Sequence, residues 1–169
     1  MSSADLLVDA FGRVNGIIQR AVEGLTPKQL SYRVDEGGNS IAWLSWHLTR
    51  IQDDHIAEVA GTEQVYTSEG WADRFGLPFD PTNTGFGHTP DDVASVRVDS
   101  GELLTGYQDA TFQRTLEFVR GLTNDDLSRV VDESWDPPVT LGVRLVSVIS
   151  DNLQHAGQAA FVRGIIDRT

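Results

Sequence analysis

Two residue types that bind metals well, Asp151 and His155, stand four apart within SDNLQHAGQ, Ser150 to Gln158. The surrounding sequence is apolar at helical spacing: Leu145, Val146, Val148 and Ile149 before the pair, Leu153 within it, and Ala156, Ala159, Ala160, Phe161 and Val162 after it. A helix turns about 100° per residue, so the two side chains lie about 40° apart and one turn along, and both can reach one point. Surface decoration and core packing explain an acid and an imidazole in such a helix poorly. A shared cation explains them better. One helix rarely offers three ligands to one ion, so a third must come from another element.

The chain has only four histidines: His47, His55, His88 and His155. His47, in WLSWHLTRI, sits between Leu44 and Ile51 at the edge of an apolar stripe. His55 follows eight residues later, about 80° round and roughly 12 Å along the axis, so a straight helix cannot bring both to one ion. The ligand set read from spacing is therefore His47, Asp151 and His155. Three protein ligands leave a position open for water or substrate, as catalytic sites do. Two imidazoles and a carboxylate suit zinc, iron(II) or nickel. Asp54 is one heptad from His47 and about 10 Å away; it reads as a group lining the site, able to orient His47 or accept a proton. The competing reading makes each histidine a hydrogen-bonded core residue and Asp151–His155 an i,i+4 pair contributing a few tenths of a kcal/mol.

Four long helical segments must position these residues. The first spans about Ala4 to Glu23, with Phe11, Val14 and Ile18 on its stripe and Ser2 or Ser3 as cap. The second opens at Asn39 or Ser40 and runs to Ala60, ended by Gly61; the third spans Gly101 to Arg120; the fourth spans Leu141 to Asp167. LTPKQL and TPDDV each place a Thr cap before a Pro, the pattern of a short helix. Between the second and third helices lies a long Gly- and Pro-bearing connection, Thr62 to Asp99, of the kind that forms lids or binding walls. VVDESWDPPVTL is extended or irregular, since Pro137 and Pro138 forbid helix. Four helices of about 20 residues without strong strand runs define an all-α four-helix bundle, one domain over residues 1–169.

Composition removes several functions. The net charge of -12 leaves no face basic enough to follow a phosphate backbone, and it disfavours an anionic membrane surface. There is no cysteine, so disulfides, thiolate-ligated zinc and a Cys nucleophile are excluded. Without a signal-peptide pattern or an apolar run near 18 residues, the chain reads as soluble and cytoplasmic. Lys28 is the sole lysine among 13 basic residues, a bias of GC-rich genomes.

The stretches LTPKQL, NSIAWLSWHLTRIQDDH and VISDNLQHAGQAAFVRG, in that order, resemble the DinB-like superfamily, which includes the mycothiol-dependent maleylpyruvate isomerase metal-binding domain and the bacillithiol transferases. GTEQVYTSEGWADRFGLPF and WDPPVTLGVRL are similar to an actinobacterial branch of unknown function. The resemblance implies an up-down-down-up bundle, often a homodimer, with a divalent metal on three histidines. On this sequence those positions are His47, His155 and, where most relatives have His, Asp151. A carboxylate there keeps a site for a borderline ion but lowers its charge, so a bound thiol or water is less acidified.

The chemistry implied is that of a metal holding an external thiol, mycothiol in a GC-rich bacterium, for S-transfer to an electrophile or thiol-assisted isomerisation. The missing cysteine agrees with a thiol brought from outside. A metal-dependent hydrolase is the second reading, with Asp54 or His55 as base. A non-catalytic metal- or ligand-binding stress protein is the third. Arg50, Arg144 and Arg163 are candidates for anionic substrate groups, with solvated surface charges as the plainer expectation. His88, in FGHTP, is expected to be an exposed loop residue, with entry into the site as a lid the alternative. Trp43, Trp46, Trp71 and Trp135 are expected as core and pocket walls. Gly157 is expected to permit close approach of a neighbouring helix or chain.

Overall fold

Residues 1–169 are described from a computed structural model. Eight helices occur in the order α1 (Ser3–Val22), α2 (Pro27–Leu30), α3 (Ile41–Ala60), α4 (Val65–Ser68), α5 (Trp71–Phe75), α6 (Pro90–Ser95), α7 (Gly101–Val119) and α8 (Leu141–Ile166). Strands β1 (Val130–Asp132) and β2 (Val139–Thr140) pair antiparallel ahead of α8, in the segment that the two prolines keep out of helix.

The helix starts follow from their caps. Ser2 accepts from the Asp5 N–H while Asp5 accepts from the Ser2 N–H, a reciprocal box that satisfies two otherwise orphan donors. Ser40 accepts from the Trp43 N–H at α3, and Thr140 from the Val143 N–H at α8. The two Thr-Pro sequences both start short helices, α2 and α6, each with a capping box. Gly61 closes α3 in the left-handed region at φ 69°.

The four long helices α1, α3, α7 and α8 form the bundle. Each of α1 and α3 packs against both α7 and α8, and α1 and α3 lie diagonally opposite. Side-chain pairs give the directions. Gln19 meets Thr105 and Asn15 meets Asp109, so α1 and α7 are antiparallel. Thr49 bonds Gln108 and Gln52 bonds Thr115, so α3 and α7 are parallel. His55 meets Arg144 while His47 meets His155, so α3 and α8 are antiparallel. The order is up-down-down-up.

Helix α3 is the centre of the molecule: 15 of its residues are buried, on all sides. Its outer face is covered by the long connection, whose α4 and α5 insert Val65, Tyr66, Trp71 and Phe75 into the main core cluster. This burial changes the status of the polar residues on α3. Arg50 is fully buried, not a solvated surface charge. Its guanidinium lies over the Tyr66 ring at 4.3 Å and donates to the carbonyls of Pro81 and Asn83 and to the Tyr107 hydroxyl. Asp53 beside it accepts from the Val65 and Tyr66 N–H groups and from Tyr107, each at 2.8 Å. A charge in a core persists only when paired and hydrogen-bonded, and this pair uses its bonds to fasten the long connection to α3.

Helix α8 is the opposite case. Val146, Leu153 and Phe161 fall on its solvent side and are exposed, although the sequence pattern reads as apolar throughout. No helix is long and apolar enough to cross a membrane.

Candidate metal centre

His47 lies in the first half of α3, one turn after Trp43, and the two rings stack at 4.5 Å with 15° between their planes. It is only 5 % exposed. Its Nδ1 is 2.6 Å from the Thr84 carbonyl oxygen. A carbonyl only accepts, so Nδ1 carries the proton and Nε2 presents a lone pair. Burial, opposed by that hydrogen bond, pushes the His47 pKa below the ordinary histidine value and keeps the ring neutral.

From the facing helix, α8 brings Asp151 and His155 against it. The His47 and His155 rings meet edge to face at 4.8 Å. His155 Nε2 is 3.5 Å from Asp151 Oδ1, and His155 Nδ1 donates to Gln158 Oε1 at 3.0 Å. One ligand atom from each of His47, Asp151 and His155 lies within 4.8 Å of the others. Tetrahedral donors on one ion at about 2.1 Å lie about 3.4 Å apart, so the widest separation must close by about 1.4 Å, within the reach of a side-chain rotation. The structure thus brings together the three residues that spacing selects.

Two features of the cluster fit a cation. Asp151 Oδ2 is buried and has no hydrogen-bond partner, which is costly for a carboxylate left alone. Both imidazoles also bond through Nδ1 to an oxygen, an arrangement that fixes the tautomer and points Nε2 to a metal. Burial would raise the Asp151 carboxyl, but the His155 hydrogen bond and the neighbouring imidazoles outweigh it and hold it below the usual range. Burial would likewise lower His155, and Asp151 together with Gln158 reverses that, so its pKa is raised.

The fourth wall is a loop that spacing alone does not place here. Residues Asn83 to His88 fold over His47 and Trp46. Gly85, at φ +89°, lies so close that a Cβ would meet His47 Nδ1 and Trp46 Cζ3, each at 2.9 Å. Asn83 Oδ1 accepts from the Gly85 N–H and from His88 Nε2. His88 Nδ1 accepts from the Trp43 indole N–H at 3.1 Å. His88 is therefore half-buried against Trp43, Trp46 and Phe79, not an exposed loop residue, and both its nitrogens are engaged. It walls the cavity without joining the ligand cluster. The signal that could have found this loop is GFGHTP, where two glycines flank an aromatic before a histidine.

The remaining sequence candidates lie elsewhere. Asp54 accepts from Gln64 Nε2 at 2.6 Å and borders a different, outer depression; orientation of His47 falls to Thr84 instead. His55 contacts Arg144 Nη1 and Glu58, away from the cluster. Arg144 also binds Asp132 at 2.9 Å, and Arg163 caps the carbonyls of Arg20, Ala21 and Glu23 at the end of α1. Trp43, Trp46 and Trp71 are core residues, but Trp135 is 65 % exposed. A Cβ on Gly157 would touch nothing within 4 Å, so no helix of this chain needs its small size.

A family model described as mycothiol-S-transferase matches residues 6–168. Among solved structures, the chain is similar to one described as a conserved protein from Enterococcus faecalis, with a TM-score of 0.92 and 28% identity over 100% of this chain and 99% of that one. No curated protein matches the chain.

Proposed function

Since the chain belongs to the mycothiol S-transferase family, we propose that it joins a small external thiol, mycothiol or a close analogue, to an electrophile at a divalent-metal centre on His47, Asp151 and His155. The observation that carries this reading is the convergence of three donor side chains beside an open cavity of about 290 Å³. A bound zinc, nickel or iron(II) ion would supply the Lewis acidity that keeps a thiol as thiolate at neutral pH.

The chain's own residues do the rest. His47, held at Nδ1 by Thr84, and His155, held at Nδ1 by Gln158, would each offer Nε2 to the ion, His155 giving up its proton. Trp43, Trp46 and the Asn83–His88 loop exclude water from its inner side. In the transfer, a sulfur–carbon bond forms, the leaving group departs with the electron pair of its carbon bond, and the thiol proton goes to solvent. No cysteine of the protein competes for the electrophile.

A hydrolase would need a base against the bound water. Of the residues that sequence offers for that role, Asp54 borders a different depression and binds Gln64, and His55 Nδ1 is taken up by Arg144, which favours the thiol reading. The test is turnover of 4-nitrobenzyl chloride by zinc-loaded protein with and without mycothiol. Thiol-dependent turnover that disappears in His47→Ala and His155→Ala supports the proposal. Equal turnover without thiol, or turnover unchanged in both variants, contradicts it.

A further inference from the structure

Beside the metal-facing cavity lies a second depression of about 350 Å³, between the first turns of α8, the second half of α3 and the tip of the β1–β2 hairpin. Ten residues line it and six are apolar. Val148, 1 % exposed, closes it toward the core, while Phe86 and Trp135, 89 % and 65 % exposed, stand at its outer edge. Two aromatic side chains kept in water at one rim are unusual for residues that bury large apolar area when they can. Asp151 and Phe86 border this groove and the metal-facing cavity alike, so the two spaces adjoin at the ligand carboxylate.

Charge narrows what the groove can take. Arg144 is the sole Lys or Arg along it, and Asp132 already neutralises that cation at 2.9 Å while His55, which also lines the groove, takes a further guanidinium proton. No Lys or Arg lines the metal-facing cavity. Arg50 and Arg163 are committed to backbone carbonyls and to Asp53 and Asp167. The protein's net charge of -12 repels anions further. A volume near 350 Å³ is at the small end for a ligand pocket, about the size of a substituted ring.

We propose that this groove, between Phe86, Trp135 and Val143, binds the electrophile, and that the electrophile is a small uncharged molecule with an apolar body, not a carboxylate-bearing one. This rests on the transfer reading for its reaction. The polar thiol reaches the centre from the Asn39–His88 side, and the apolar body lies beyond Asp151, with its reacting carbon at the junction of the two spaces.

The test uses two unreactive probes of one shape, 4-nitrotoluene and 4-nitrobenzoate, titrated into zinc-loaded and metal-free protein. Binding is read from tryptophan quenching and from the Trp135 indole N–H shift. The expected result is saturable binding of 4-nitrotoluene with a Trp135 shift in both forms and, in the metal-free form, roughly tenfold or more tighter than 4-nitrobenzoate, because a carboxylate finds no free guanidinium or ammonium there. Val143 is 54 % exposed, so Val143→Glu should fold and weaken 4-nitrotoluene by a similar factor. Equal or tighter binding of 4-nitrobenzoate by the metal-free protein, an unmoved Trp135 signal, or indifference to Val143→Glu overturns the proposal. So does a dimer in which a second copy seals the groove and which Val143→Glu dissociates. Thiol-dependent turnover with an electrophile KM unchanged by Val143→Glu removes the groove and keeps the transfer reading. Probe binding as expected with no thiol-dependent turnover removes the transfer reading and keeps the groove.

Discussion

Replacing Gly85 by alanine tests whether the Asn83–His88 loop holds His47 in place. A side chain at φ +89° costs about 1–2 kcal/mol in backbone strain. The added methyl also meets His47 Nδ1 and Trp46 Cζ3 at 2.9 Å, and Trp43 Cζ2 at 3.4 Å. None of these is the free end of a flexible side chain, so relief needs movement of the loop or the rings, an overpacking cost of about 1–3 kcal/mol. The sum is a destabilisation of about 2–5 kcal/mol. Gly87→Ala is the matched control: its φ is +76° and a Cβ there meets nothing within 4 Å, so it should lose only the strain, about 1–2 kcal/mol. The two variants should separate more sharply in metal affinity. Displacing the loop breaks the Thr84–His47 bond, and loss of such a support weakens metal binding by about 10–100-fold. Urea denaturation gives the first quantity and zinc competition against a chromophoric chelator the second. Equal zinc affinity in Gly85→Ala and Gly87→Ala would refute the reasoning.

Three further expectations rest on the same structure. His155 is raised above the ordinary histidine pKa, chiefly against burial and through Asp151 and Gln158, so the metal-free protein keeps a proton there that an ion must displace. Zinc uptake near neutral pH should release protons, and affinity should fall as pH drops through the raised His155 value, starting above pH 6.5. In the metal-free protein the sign is opposite: the His155 contribution to stability is complete below pH 6.5 and lost as pH rises through the folded value. Calorimetry in buffers of different ionisation enthalpy, with no detectable proton release, would contradict this. Arg50→Met leaves Asp53 buried and unpaired and frees the Pro81 and Asn83 carbonyls, which should cost about 3–5 kcal/mol and speed hydrogen exchange in residues 83–88; a loss under about 1 kcal/mol in denaturant titration would count against it. Gly157→Ala should stabilise the chain by up to about 1 kcal/mol, because the position is helical and open; a fall in melting temperature or a change in sedimentation would instead place a second chain on this face.

Much of this arrangement is legible in the sequence. The Thr-Pro caps, Gly61 and the four periodic segments locate the helices to within a residue or two, because capping and periodicity are local. Asp151 and His155 are legible as a pair since helical spacing fixes their relation, and His47 is legible as the third because it sits at a stripe edge on another helix. The burial of Arg50 has a nonlocal cause. The residue lies off the stripe of α3, and only the folding back of α4, α5 and residues 79–88 buries that face. The same fold-back hides His88 and supplies Thr84, whose role is a backbone carbonyl and leaves no trace in residue type. Asp54 is no partner of His47, because a heptad along a helix is a shared face but too long a distance, and Gln64 claims its carboxylate. On α8, Val146, Leu153 and Phe161 look like core in the pattern but face outward, since a bundle helix buries only the sides that meet its neighbours.

The most direct measurement is elemental analysis of tag-free protein, joined to anomalous scattering at the metal edge from its crystals. The account expects one divalent ion per chain, with its anomalous peak within bonding distance of His47 Nε2, Asp151 and His155 Nε2. That ion should be lost from His47→Ala and His155→Ala and kept in His88→Ala. A peak elsewhere, or full metal content in both ligand variants, would contradict it.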